Sequence, residues 1–293
     1  MIKYNKYLLV ICTAVLSLSI SCNTVFPNSK DKPTTAILGA FDEEVLILQN
    51  KLENKQQHTI EGIEFISGKL NDRRTVIAWT GIGKVNAAMA TTLAIEHFNP
   101  REVIFTGIAG GINPELLPGD IVIAEKTAQH DFGRFTTAGL ENKGTINPIN
   151  GKRNPVFFKA DKQLVTLAEK AAKATQFEEI KENERTPKII KGTVVTGDIF
   201  VVSAAKCDEL RRKLGADAVE MEGAAVAQIC YQQNTPCIVI RSISDKADEK
   251  AIEDVNKFYK IAAKNSASLV AKMVEFLHFD STTKKEYSKS SRD

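Results

Sequence analysis

The stretch Asp217-Ala218-Val219-Glu220-Met221-Glu222-Gly223-Ala224-Ala225 reads as the end of a buried strand passing directly into an alanine-rich helix over 223–231. A strand that hands over directly to a helix reads as part of an α/β unit, and such folds place their sites at strand ends. Glu220 and Glu222 lie two positions apart, so on an extended backbone their side chains point the same way. Two readings are open. Either both acids face solvent on an edge strand, or they are buried and paired, since an unpaired carboxylate in apolar surroundings is costly.

The pattern repeats outward from there. Upstream, a strand over 189–195 ends in Thr196-Gly197-Asp198-Ile199-Phe200-Val201, followed by a helix over 206–214. Downstream, Pro236 introduces a strand over 237–241 that ends in Ser242-Ile243-Ser244-Asp245. A last helix over 256–279 carries Phe258, Ile261, Asn265, Leu269, Met273 and Phe276 along one face.

Nearer the start, a strand over 35–40 runs into Phe41-Asp42-Glu43-Glu44-Val45, with acids in the first turn of a helix. Residues 59–70 and 73–80 read as two antiparallel strands turning at Asn71-Asp72. Gly81-Ile82-Gly83 then opens a helix with Val85, Met89 and Leu93 in phase. The third glycine of a dinucleotide fingerprint is absent. A strand over 103–106 closes on a glycine turn, Gly107-Ile108-Ala109-Gly110-Gly111, and another runs over 119–124. Residues 130–154 form a long irregular excursion, and a helix over 162–177 and a charged linker over 178–188 follow it. Strands alternate with helices throughout, so one α/β domain with a central mixed sheet is expected.

The 293 residues carry a formal net charge of +3, and loss of Lys3 and Lys6 with a leader brings the folded part near neutrality. Charge therefore gives no argument for nucleic acid. Residues 1–21 combine those lysines with an apolar run too short to span a bilayer comfortably. They end at Ser19-Ile20-Ser21-Cys22 and resemble a bacterial lipoprotein signal, with Ser19 where Leu is usual. Cys22 is the expected lipidation point, 22–34 a tether and 280–293 a disordered polar tail. The protein is expected to be exported and anchored through Cys22 to a membrane. Cys207, Cys230 and Cys237 lack metal-ligand spacing, and no metal or other cofactor is expected.

Five strand tips, beginning near Gly39, Gly107, Gly197, Glu220 and Ser242, would deliver carboxylates, backbone donors and an aromatic ring to one pocket if they converge on one sheet edge. Residues 39–45, Thr80-Gly81-Ile82-Gly83-Lys84-Val85, and residues 107–111, 219–222 and 241–245 resemble the bacterial 5′-methylthioadenosine/S-adenosylhomocysteine nucleosidases, in order, from about residue 35 to residue 278. The resemblance implies the three-layer nucleoside phosphorylase-like fold over 35–279, a central mixed twisted sheet flanked by helices. It also implies a homodimer that cleaves the N-glycosidic bond of those nucleosides, with 5′-deoxyadenosine a further candidate substrate.

Carried over by the resemblance, Glu44 is the general base on water and Asp245 the proton donor to adenine N7. Glu222 holds the ribose hydroxyls and Met221 lies under the sugar. Phe200 stacks on the purine, and the Val201 backbone reads its edge. Arg241 lies near ribose and water, Ile82 and Phe258 line the wall, and Ala109, Gly110, Glu220 and Ser244 complete the substrate-binding set. Ile108 departs from the family, which usually has serine there.

Three other readings compete. A phosphorylase of this fold would need cations where Asp42-Glu43-Glu44 stand. A related nucleoside hydrolase, such as one acting on futalosine-like nucleosides, would share most motifs. A surface adhesin could bind polyanions such as glycosaminoglycans through Lys284, Lys285, Lys289 and Arg292, or through Lys143, Lys152 and Arg153.

Overall fold

The computed structural model describes residues 34–180 and 185–277, so the expected signal segment, Cys22, most of the tether and the tail lie outside the described residues. In chain order the elements are β1 (Thr34–Gly39), α1 (Asp42–Asn50), β2 (Glu53–Ile60), β3 (Ile63–Leu70), β4 (Arg73–Trp79), α2 (Lys84–Phe98), β5 (Glu102–Gly111) and β6 (Ile121–Gln129). The excursion follows with β7 (Gly133–Thr136) and β8 (Gly139–Asn142), then β9 (Phe157–Lys159), α3 (Lys162–Ala174), β10 (Ile189–Thr196) and α4 (Ala204–Leu214). Last come β11 (Ala218–Glu220), α5 (Gly223–Gln232), β12 (Cys237–Asp245) and α6 (Ala251–Phe276).

Alternation along the central strands explains the three layers. Ala36 and Leu38 of β1, Val76 and Ala78 of β4, and Val103 and Phe105 of β5 face one core with Ala87, Ala94 and Val226 of α2 and α5. The residues between them, Ile37, Ile77 and Ile104, face a second core with Leu48, Leu164, Leu269 and Met273 of α1, α3 and α6. A strand buried on both faces reads as a continuous apolar run, which is why these strands are visible in the sequence.

Three expectations change. The strand expected over 59–70 is a hairpin, β2 and β3, turning at Glu61 and Gly62 with φ of 48° and 82°. Its first arm, Glu-Asn-Lys-Gln-Gln-His-Thr-Ile, is an exposed sheet edge with little apolar signal. Residues 107–111 are not a turn: they extend β5, paired with β12 on one side and β11 on the other. The tips also do not share one parallel edge. β1, β5 and β12 are mutually parallel, whereas β6 runs antiparallel to β12 and carries β10 with it. The sheet instead curls, and β11 pairs with both β10 and β5, closing β11-β10-β6-β12-β5 into a ring. Ring closure, rather than common direction, brings the tips together.

Candidate active site

Glu44 is buried at the start of α1 because two elements need its oxygens. Oε2 accepts from the N–H groups of Ala40 (2.7 Å) and Phe41 (3.0 Å), closing the turn between β1 and α1. Oε1 accepts from Ile108 N–H at 3.0 Å, tying α1 to β5. At the position of the family's serine, Ile108 contributes its backbone. Burial raises the pKa of Glu44, against the pull of Arg241 and the three N–H donors.

Arg241, only 1% exposed, lies in β12 with its guanidinium 4.3 Å from the centre of the Phe105 ring. Its Nη2 donates to Glu220 Oε2 and stands 3.6 Å from Glu222 Oε2. A Cβ on Gly107 would collide with Arg241 Nη1 and with Glu44 Oε1 (2.5 Å), so only glycine lets this cation and this carboxylate meet there. Burial alone would lower the pKa of Arg241, but Glu220, Glu44 and Glu222 together outweigh it and push it up.

The acid pair of the quoted stretch is buried, 7% exposed at Glu220 and 4% at Glu222, which removes the solvent-edge reading. β11 ends at Glu220, and Glu222 is the residue that caps α5, so the two are not on one extended strand. They converge on Arg241 from a strand end and a helix start. Glu220 spends both oxygens on protein donors: Thr196 hydroxyl on one, and Arg241 with the N–H groups of Glu222 (3.1 Å) and Gly223 (2.7 Å) on the other. It is expected among the substrate-binding residues, and in the structure its contacts are these protein donors. Glu222 accepts from Gly83 N–H at 2.8 Å. Burial, then the charge of Glu220, pushes its carboxyl up to about 8.

Asp245, at the end of β12, is 2% exposed. Its Oδ2 accepts from Ser244 hydroxyl (2.7 Å), which lies 3.3 Å from the Ala109 carbonyl, and its Oδ1 from Ala247 N–H (2.7 Å). Ala247 aims that N–H back at a left-handed φ of 52°, a conformation non-glycine residues adopt at a cost. Burial raises the pKa of Asp245, Ser244 and Ala247 lower it, and Asp254 and Asp248 add to the rise. Ala109 and Gly110 are buried in the adjoining ladder; a Cβ on Gly110 would reach within 2.9 Å of Asp245 Oδ1.

Phe200 and Ile82 are about half exposed, at 48% and 47%, while Val201 is buried and Met221 and Phe258 are half-buried. Phe200 and Val201 belong to an arm, residues 197–203, between β10 and α4. Its ends are held by Gly197 N–H donating to the Glu220 carbonyl (3.1 Å) and Ser203 N–H to the Ala247 carbonyl (2.9 Å). The parts played by Thr196, Gly83, Gly107 and Ala247 could not be read from the sequence, because each acts through its backbone or through contacts remote in the chain.

Comparison with known proteins follows the same strands. Residues 34–275 match the family model of the phosphorylase superfamily. The 5′-methylthioadenosine/S-adenosylhomocysteine nucleosidase of Psychromonas ingrahamii is 42% identical over 243 residues, covering 83% of this chain and 98% of its own length. The crystal structure of the nucleosidase of that name from Neisseria meningitidis, in complex with methylthio-immucillin-A, is similar at a TM-score of 0.71 and 36% identity, covering 83% of this chain and 99% of that one. The futalosine hydrolase of Helicobacter pylori is similar at a TM-score of 0.70 and 29% identity, covering 84% and 98%.

Proposed function

The chain belongs to the phosphorylase superfamily, and from that premise we infer that it is a nucleosidase that hydrolyses the N-glycosidic bond of 5′-methylthioadenosine and S-adenosylhomocysteine, releasing adenine and the 5′-thio-ribose. The observation that carries the choice of water over phosphate is Glu44. Its buried carboxyl, with three N–H donors, follows β1 where a phosphorolytic enzyme of this fold is expected to need a cation, and the cation beside it, Arg241, already faces Glu220, Glu44 and Glu222, which disfavour a further anion.

In this reading Glu44 takes a proton from water, whose oxygen forms the new bond to the anomeric carbon. The electrons of the broken C–N bond pass to the purine, and Asp245 places a proton on N7 so that adenine leaves neutral. Positive charge developing on the ribose is stabilised by Glu44, while Glu222, its carboxyl raised to about 8, holds the sugar hydroxyls. Phe200 and Val201 hold the purine, Met221 the sugar, and Ile82 and Phe258 the wall.

The test is adenine release from 5′-methylthioadenosine without phosphate, by the wild type and by Glu44→Gln and Asp245→Asn. Each variant should lose about 10²- to 10⁴-fold in kcat. Full rates in both, or strict dependence on phosphate in the wild type, would refute the assignment. The similarity to a futalosine hydrolase makes a futalosine-type nucleoside the necessary second substrate in the panel.

Three further features belong to this proposal. A homodimer is supported by apolar side chains left exposed on α2 and the excursion, among them Val85 (79%), Met89, Phe132, Phe135, Ile146 and Ile149. Export and anchoring through Cys22 rest on the leader-like residues 1–21; incorporation of labelled lipid, lost in Cys22→Ala, tests them. Polyanion binding rests on the tail's basic residues and, on the excursion, on exposed Lys152, since Lys143 pairs with Glu141 and Arg153 donates to the Gly144 carbonyl.

A further inference from the structure

The excursion and the purine-binding arm meet at one cation that the mechanism does not use. Lys84 begins α2, and its Nζ donates to Asp131 Oδ1 at 2.6 Å, with Asp198 Oδ2 at 3.7 Å and Gln129 Oε1 at 3.3 Å. Its backbone N–H donates to Asp198 Oδ1 at 2.8 Å. The other oxygen of Asp131 accepts from Asp198 N–H at 2.8 Å. Lys84 and Asp131 side chains are each 16% exposed, so this is no solvated surface pair. Burial opposes ionisation of Asp131, but Lys84 and the Asp198 N–H outweigh it and keep its pKa below the usual range.

Each link ends on the site. Gly83, one residue before Lys84, donates the N–H that Glu222 accepts. Asp198 lies two residues before Phe200. Below the arm, a Cβ on Gly197 would strike the imidazole of buried His130, the residue before Asp131, so the chain passes over that ring with no slack. The arm's ends are fixed at Glu220 and Ala247, and the Asp131–Asp198–Lys84 links tie its first part to α2.

We propose that Lys84, Asp131 and Asp198 are positioning residues for nucleoside binding: the cluster holds the arm carrying Phe200 and Val201 in register with the Gly83 amide that orients Glu222. Held together, the purine shelf and the ribose acceptor are preformed, and binding pays no ordering cost for them. This rests on the nucleosidase reading, and it assigns the first residue of the excursion beyond His130 a role in ground-state binding, separate from the bond-breaking groups.

The experiment measures steady-state adenine release from 5′-methylthioadenosine, and inhibition by added adenine, for wild type, Lys84→Met, Asp131→Ala, Asp198→Ala and the double variant Lys84→Met/Asp131→Ala. Lys206→Met, which removes a surface pair with Glu209, is the control. Expected is a rise of about tenfold or more in KM and in the adenine inhibition constant for each cluster variant, with kcat within about threefold of wild type. The double variant should cost no more than the worse single one, because the residues act as a unit. Lys84→Arg should recover most of the binding. Unchanged KM in the cluster variants overturns the proposal, and so does a loss of kcat alone. Asp198→Ala, whose side chain is 48% exposed, keeps the test decisive if burial makes the other variants insoluble. Wild-type turnover judges the nucleosidase reading separately, since the cluster is judged only on ratios between variant and wild type.

Discussion

Two arginines lie buried in the same sheet, and they are treated differently. Arg73, at the start of β4, donates to Glu102 Oε1 at 2.7 Å, to Thr35 hydroxyl at 2.5 Å and to the Leu277 carbonyl at 3.3 Å. One cation meets one anion, and the three contacts span its guanidinium. Arg241 faces three carboxylates, Glu220, Glu222 and Glu44, while its Nε and Nη1 have no hydrogen-bond partner in the protein. The first arrangement is complete as it stands. The second gathers more carboxyl groups than one cation can match, with burial raising the pKa of Glu222 and Glu44, and it leaves donors unfilled, a state that a buried cluster keeps only at a cost in stability. The difference separates an ion pair that fastens strands from one that keeps donors free within the candidate site.

Removing each arginine sharpens the contrast most. Arg73→Met and Arg241→Met should each destabilise the protein by about 3–5 kcal/mol, because each strands buried carboxylate charge. Only Arg241→Met should also lower kcat/KM of the folded fraction, by about 10²-fold or more, as Glu222 and Glu44 lose their common partner. Denaturant titration beside initial rates reads both. Equal activity in the two variants would erase the distinction.

A smaller effect concerns pH. Glu222 titrates near 8 in the folded protein against 4.5 as its reference, so the folded state binds this proton more tightly than the unfolded chain. Its contribution is fully present below pH 4.5 and is lost as pH rises through about 8. Glu44 and Asp245 are shifted in the same direction. The melting temperature of the ligand-free protein should fall across that window, and Glu222→Gln should flatten the fall. Calorimetry at a series of pH values tests this, and an unchanged slope would mean that Glu222 is ionised throughout.

Much of this was legible in the sequence because apolar runs and strand ends are local signals. β1, β4, β6 and β12 announce themselves as short apolar stretches, and the Asn71-Asp72 turn has φ of 51° and 61°, the left-handed pair that Asn and Asp tolerate best. β2 was hidden because an exposed edge strand needs no apolar face. The glycines of 107–111 imitate a turn, since composition cannot show that two neighbouring strands hold them extended. At the site, the acids were visible and their division of labour was not. Nothing near Glu220 in the chain says that Thr196 and Arg241 occupy its oxygens, whereas Glu222 has one oxygen on the Gly83 N–H and the other 3.6 Å from the cation.

The closed ring of strands has a consequence for the order of assembly. β11 is three residues long, and its bond to β5 pairs Ala218 with Gly111. That contact closes a loop of about one hundred residues, and loop-closure entropy must be met before the pairing returns anything. β12 closes a longer loop on β5, pairing Cys237 with Val103, but over eight paired positions; β11 has three residues to offset its own closure and is expected to pair late, bringing Glu220 with it. A mutation such as Val219→Ala should speed unfolding and leave the folding rate nearly unchanged, a φ-value near zero. On that expectation the Glu220–Arg241 contact is made only once β11 and β12 both stand on β5.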